Sequence, residues 1–463
     1  NGAVRFSGNN YFGDGTGDDP VSFSTSTTRW GIDFENGSSA TFAENAELTI
    51  ADDSRVIFRN DLVALADWEV GNSTHIFLSR NGGTTTFGTT GAPVTVQCLD
   101  NVTFEAWRET TINGNLDFDD NADVRFNQDG GNFSITGNTT FLNNTVEAYW
   151  VNDATFGGTV TFGTGSGTGG DHVRFGNDGN TDNATFNGRF YMAGTAAVED
   201  ALRFQGNNQF NAGFEIHSVA AVHQNVHLFD NNTFAGGAVL FNSSNGATTD
   251  WAITFESDAA TTTFESTAPV TVGRNTHIQF EGGLLLQSTM RVEENARVEF
   301  ARNGNGTETR IENDLNTFTG VYLRSFRPIT FTAGADAAFG TNNDIRFDRR
   351  VVATTQNITA GENTVINFNT DNGDGLANQL HNLLLTRNNE IIFERNNDFS
   401  FAGTIQAAPG APADCSAGHF LRSDNWNERA RLNFTTAHTW YGVIAQSLQV
   451  SGATIEARYS TDY

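Results

Sequence analysis

The chain has 463 residues, 54 acidic against 26 basic side chains, a formal charge of −28, and 48 Gly, 39 Phe and only 6 Pro. Every basic residue is arginine. This balance argues against nucleic-acid binding, which needs a basic face to neutralise phosphates, and an anionic membrane surface would repel the chain. The missing lysine also removes Schiff-base and P-loop lysine chemistry. The length exceeds what one compact core usually serves, so the chain is several domains or a fold that grows in one dimension. No segment approaches about 18 apolar residues, so no membrane-spanning helix is expected. The acidic excess reads as solubility in a salty or extracellular medium. The first residue is Asn1, with no charged-then-apolar signal segment, which is read as a leader already removed.

In chain order, VRFSG (4–8) and NNYF (9–12) open a series of short β phrases. GTGDDPV (15–21) is a glycine-rich corner. DLVALADWEV (61–70) could give a turn or two of helix, or apolar strand. VTVQCLD (94–100) reads as a strand carrying Cys98. From there DATF, NATF, NNQF, NNTF and TTTF end at Phe156, Phe186, Phe210, Phe234 and Phe264, in steps of 30, 24, 24 and 30 residues. VEFAR (298–302), a second ambiguous stretch ANQLHNLLL (377–385), IIFER (391–395) and NNDF (396–399) follow. AAPGAPADCSAGHF carries Cys415, in a loop insertion expected near residues 407–425, and 426–463 are expected to be terminal coils.

Apolar residues alternate about a polar one in these phrases, which is the strand pattern. Asn, Asp and Gly clusters break them, and Asn and Gly tolerate the left-handed conformation of tight corners. A period of 24–30 residues with short strands predicts an all-β fold, one continuous elongated parallel β-solenoid over 1–463. At about 25 residues per coil it holds roughly 18 coils. The five phenylalanines named above are expected to stack as an internal ladder, and Asn at successive corners to form amide ladders. A propeller blade needs a longer repeat, and sandwiches show more Pro-marked turns.

NTFTGVYL (316–323), NNTFAGGAVL (231–240), DATFGGTVTF (153–162) and NDFSFAGTI (397–405) resemble the autotransporter-associated β-strand repeat. That resemblance implies a secreted, right-handed β-helical passenger used in adhesion or surface structure. Phrases of the same kind continue past Phe399, where the family would place a translocator barrel.

No residue of the sequence is assigned a catalytic role. A pectin-hydrolase solenoid would show Asn-Thr-Asp, Asp-Asp, Gly-His-Gly and Arg-x-Lys segments. NTD occurs at 369–371 and DD at 119–120, but Gly-His-Gly and lysine are absent. Asp119 and Asp120 lie some ten coils from Asp371, too far for paired carboxylates, and GNTD (179–182) shows how cheaply NTD arises here. Asp19 in GTGDDPV and Asp171 in GTGGDHV fit the Gly-x-Gly-x-Asp-x-apolar pattern of calcium β-rolls, and Asp371 and Asp374 lie in a calcium-loop-like NFNTDNGD. The β-roll copies are isolated, so each supplies at most half a Ca2+ site, and surface corners are the plainer reading. His217, His223 and His227 are spaced too widely along a strand to chelate one metal. Asn-x-Ser/Thr sequons, among them Asn72, Asn138, Asn231 and Asn357, are frequent because Asn and Thr are.

The expectation is a non-enzymatic extracellular or cell-surface structural protein. AVRFSGNNYF begins without a capping helix, and VIAQSLQVSGATIEARY (443–459) still alternates. Uncapped coils would stack head to tail with copies of the same chain, forming a filament or matrix. The alternatives are a monomeric adhesin or rod binding extracellular polysaccharide, and then a polysaccharide lyase or hydrolase. Cys98 and Cys415 are candidates for an intersubunit disulfide in an oxidising medium, against a plainer reading of one buried and one loop thiol.

Overall fold

The structure, a computed structural model, describes residues 4–13, 19–25, 31–120, 122–126, 129–141, 147–150, 153–163, 172–176, 183–194, 202–218, 226–243, 252–256, 260–303, 308–368, 376–412, 415–458 and 461–462. It is an all-β parallel β-solenoid. Its residues gather into two units, Asn1–Gly237 and Ala238–Tyr463. The only helical element among the described residues is the single 3-10 turn Cys415–Ala417. Both helix-ambiguous stretches are strand: Leu62–Ala64 and Trp68–Val70 in one, Asn378–Leu385 in the other. Their apolar residues fit both periods, and coil-to-coil pairing decides for strand.

In the first unit each strand pairs with the strand three places further along the chain. Ile32–Phe34, Arg55–Phe58, His75–Leu78 and Thr103–Ala106 form one parallel column. Ala154–Phe156, Ala184–Phe186, Asn208–Phe210 and Asn232–Phe234 lie in a second, and Trp68–Val70, Val94–Cys98, Gly114–Phe118 and Thr139–Phe141 in a third. The second unit repeats the scheme, for example through Arg297–Phe300, Tyr322–Ser325, Asp344–Phe347 and Val365–Phe368. A 25-residue period predicts 18 coils, whereas the solenoid has about 15 turns, and in places strands merge. Val351–Ala360 pairs with both Ile329–Phe331 and Ala337–Phe339, and Asn378–Leu385 pairs with both Asp398–Phe401 and Ile405–Ala407.

Alternation in sequence becomes alternation of burial. The tripeptides Ala154–Phe156, Ala184–Phe186 and Asn232–Phe234 all bury their first and third residues. Phe156, Phe186, Phe210 and Phe234 are fully buried and in register. Their rings stack at centroid separations of 5.0, 4.9 and 4.8 Å, with interplanar angles of 5°, 4° and 11°. These separations follow from the strand spacing of about 4.8 Å, because in-register side chains repeat at the backbone pitch. Phe204, Phe190 and Phe214 meet the stack edge-on, the other arrangement that ring quadrupoles favour. Phe264, in the second unit, is also fully buried, and the register carries it to Leu286.

The doubled asparagines supply two amide ladders. The second Asn of each phrase points inward: Asn208 Nδ2 donates to Asn232 Oδ1 at 3.1 Å, with both residues buried. The first stays outside, where Asn231 Nδ2 donates to Asn207 Oδ1 at 2.9 Å. A buried amide without a partner would be costly, so each depends on the next coil. The phrase NNDF is not equivalent. Phe399 and Phe401 both point inward, and Phe399 pairs with Asn378. The phrase is displaced by two residues relative to NNTF.

A column of left-handed residues turns the chain into the first strand of each coil. In the second unit it runs Asn275, Asn295, Gly320, Asn342, Asn363, Asn388, Gly418 and Gly442, all with φ between 49° and 71°. Asn is the side-chain-bearing residue that visits this region most readily, and Gly needs no allowance. Within the column Asn363 Nδ2 donates to Asn342 Oδ1 and Asn388 Nδ2 to Asn363 Oδ1, each at 3.2 Å. Asp53, Ser73 and Asn101 fill the same role in the first unit.

Candidate functional site

Cys98 points inward, is fully buried, and lies in register with Val70 and Phe118. Burial pushes its thiol well up, and the charges of Asp119 and Asp117 push the same way. A thiol held neutral and out of solvent is a poor nucleophile, and no second chain reaches it without opening the coil. Cys415 begins the 3-10 turn; its side chain lies outside the described residues.

Asp19 is exposed at a corner and clasps the neighbouring coil. Its N–H donates to Asn45 O at 3.0 Å, and its carboxylate accepts from Asn45 Nδ2 at 3.3 Å. Asp171, Asp371, Asp374 and His223 lie outside the described residues. Among the described residues no group of three His, Cys, Asp or Glu is placed to hold a metal ion. His217 bonds Glu215 at 3.3 Å, and His227 is buried with its ring against Phe229. Asp119 and Asp120 belong to a corner column in which Asp120 N–H donates to Asp100 Oδ1 and Asp100 N–H to Asn72 Oδ1. Asp119 is raised by burial, and then by the charges of Asp100, Asp120 and Asp117. The sequon amides of Asn72, Asn231 and Asn357 donate to Asp52, Asn207 and Asp336, so these side chains serve the ladders.

His419 points into the solenoid in register with Val443, only 2% exposed, and among the described residues neither ring nitrogen finds a hydrogen-bond partner. Burial lowers its pKa from 6.5 to about 4. Above pH 6.5 the ring is neutral in both folded and unfolded chains. As pH falls below 6.5 the unfolded chain takes up a proton that the folded one refuses until about pH 4. Stability is therefore lost across that window, by up to about 3 kcal/mol, and the loss levels off below it. Urea midpoints measured from pH 7.5 to 4 should show this decline, and His419→Leu should lack that share of it. Identical pH profiles for the two proteins would place the ring in solvent.

A concave feature lies on the second unit. It encloses about 500 Å3 and is lined among others by Thr289, Arg291, Asn316, Phe318, Ala338 and Gly340. Arg291, Asn316 and Ala338 occupy successive outward positions of one column. Phe318 follows the strand Leu315–Thr317 and is 36% exposed. In NNTF the phenylalanine, Phe234, is fully buried; in NTF at 316–318 it stands outside. The register explains the difference: Leu315 and Thr317 take the inward positions, so Asn316 faces out and Phe318 lies at the corner. The Arg291 guanidinium lies 4.2 Å from the Phe318 ring centroid, and its Nε donates to Glu293. A Cβ on Gly340 would meet Phe318 O at 2.4 Å, so the floor beside the ring is kept low by backbone packing. Sequence patterns missed this site because the same NTF phrase serves core and surface.

Compared with known protein families, with curated proteins and with solved structures, the chain finds no match in any of the three.

Proposed function

We propose that the chain is a non-enzymatic structural protein of the extracellular or cell-surface space, acting as an element of a filament or matrix in which copies stack coil on coil. The observation that supports this reading is the uniformity of the coil-to-coil step. The same parallel register, Phe stacks and Asn ladders recur from coil to coil, so each coil is a template for another. A backbone edge left open on one copy would be satisfied by the next copy, as every internal coil satisfies its own with its neighbour. Head-to-tail addition at such edges is open-ended, which yields fibres and not closed rings.

The resemblance of NNTFAGGAVL and DATFGGTVTF to autotransporter-associated repeats agrees with a secreted surface role. The excess of acid over base keeps lateral faces apart, which favours axial over sideways association.

Negative-stain microscopy of the purified chain at micromolar concentration tests the reading. Filaments that lengthen with protein concentration are the expected result. Discrete particles at every concentration, with a single sedimenting species, would remove the filament and leave the fold untouched.

A further inference from the structure

The cleft beside Phe318 is built unlike the rest of the described surface. Phe318 is one of few large apolar side chains left exposed, and Arg291 lies against its ring. The Asn316 amide faces out in register between Arg291 and Ala338, and among the described residues it has no hydrogen-bond partner. Asn316 thus offers a donor and an acceptor beside an apolar ring. Ala338 and Gly340 leave a shallow floor next to both, and the volume of about 500 Å3 falls in the range of ligand clefts.

The charges narrow the ligand. Arg291 is paired with Glu293, and the chain as a whole carries −28. An anionic ligand would meet a neutralised guanidinium inside a repulsive field. A purely apolar ligand would leave the Asn316 amide desolvated and unpaired. What fits is an uncharged ring with one C–H-rich face and a rim of hydroxyls.

We propose that this cleft binds a neutral polysaccharide, with one hexopyranose unit seated on the Ala338–Gly340 floor against the Phe318 ring. Its hydroxyls bond to the Asn316 amide and to Arg291 N–H groups that Glu293 does not occupy. The site stands independently of filament assembly, since all its residues lie on one face of the second unit.

Affinity electrophoresis of dispersed protein tests it, with hydroxyethylcellulose, laminarin and galactomannan as neutral probes and polygalacturonate as the anionic one. Retardation by at least one neutral probe is expected, together with none by polygalacturonate. Phe318→Ala should weaken it by about 10-fold or more and Asn316→Ala by roughly 5–10-fold, as loss of an aromatic platform and of a hydrogen bond would. Phe318→Trp should retain it. Phe318 is partly exposed, so the variants should melt within a few degrees of the parent, and the melt is recorded for each. Three results would overturn the proposal: no retardation by any neutral probe, retardation by polygalacturonate alone, or unchanged retardation of both alanine variants.

Discussion

Phe210→Ala is expected to lower the unfolding free energy of the first unit by about 3–5 kcal/mol. Phe210 is fully buried between Phe186 and Phe234, stacked at 4.9 and 4.8 Å, with Phe204 and Phe214 edge-on at 5.3 and 4.6 Å. Truncation removes contacts on all these sides. The coils above and below cannot close the gap, because their spacing is set by backbone hydrogen bonds. The hole therefore stays open, and the cavity penalty adds to the lost transfer free energy. Urea unfolding followed by circular dichroism measures the effect, with Phe318→Ala as a surface reference expected to cost no more than about 1 kcal/mol. A midpoint for Phe210→Ala equal to that of the parent would mean the interior stack is not built from these rings.

The second large effect is a backbone one. Gly114 has φ +145°, and a Cβ there would meet Val94 O at 1.7 Å and Val94 N at 2.6 Å. Val94–Cys98 and Gly114–Phe118 are paired along their whole length, so the clash cannot be relieved without loosening that pairing. Gly114→Ala is expected to cost about 2–4 kcal/mol, from a strained dihedral and a displaced strand together. Gly8 is the control. Its φ is +72°, nothing lies within 4 Å of an added Cβ, and Gly8→Asn should cost under about 1 kcal/mol because Asn accepts the left-handed region. Thermal melts of both variants decide the matter, and equal melting temperatures would show that the close approach at Gly114 does not exist.

Much of the fold was legible because a solenoid writes its geometry as a period. Aligning the phrases on Phe156, Phe186, Phe210 and Phe234 gave the register that the strands adopt, since an in-register parallel stack requires like residues one coil apart. The left-handed corners were legible as residue types and not as a column, because Asn is common throughout and only pairing shows which copies are equivalent. The number of turns was not legible, because merged strands such as Val351–Ala360 and insertions of variable length break the period. The words themselves proved ambiguous. NNDF is displaced by two residues from NNTF, and NTF at 316–318 leaves its ring outside. A short β phrase does not say which of its alternate residues points inward; the neighbouring coil does. His419 escaped for a related reason: it stands beside a Pro-bearing loop, and its inward direction follows only from its register with Val443.

Coil-on-coil assembly is tested most directly by X-ray diffraction from oriented filaments. Stacked solenoid coils run their strands across the filament, and their spacing along it. A sharp reflection near 4.8 Å on the meridian is the expected result. The same reflection on the equator would mean that the chains associate side by side, and would contradict head-to-tail stacking.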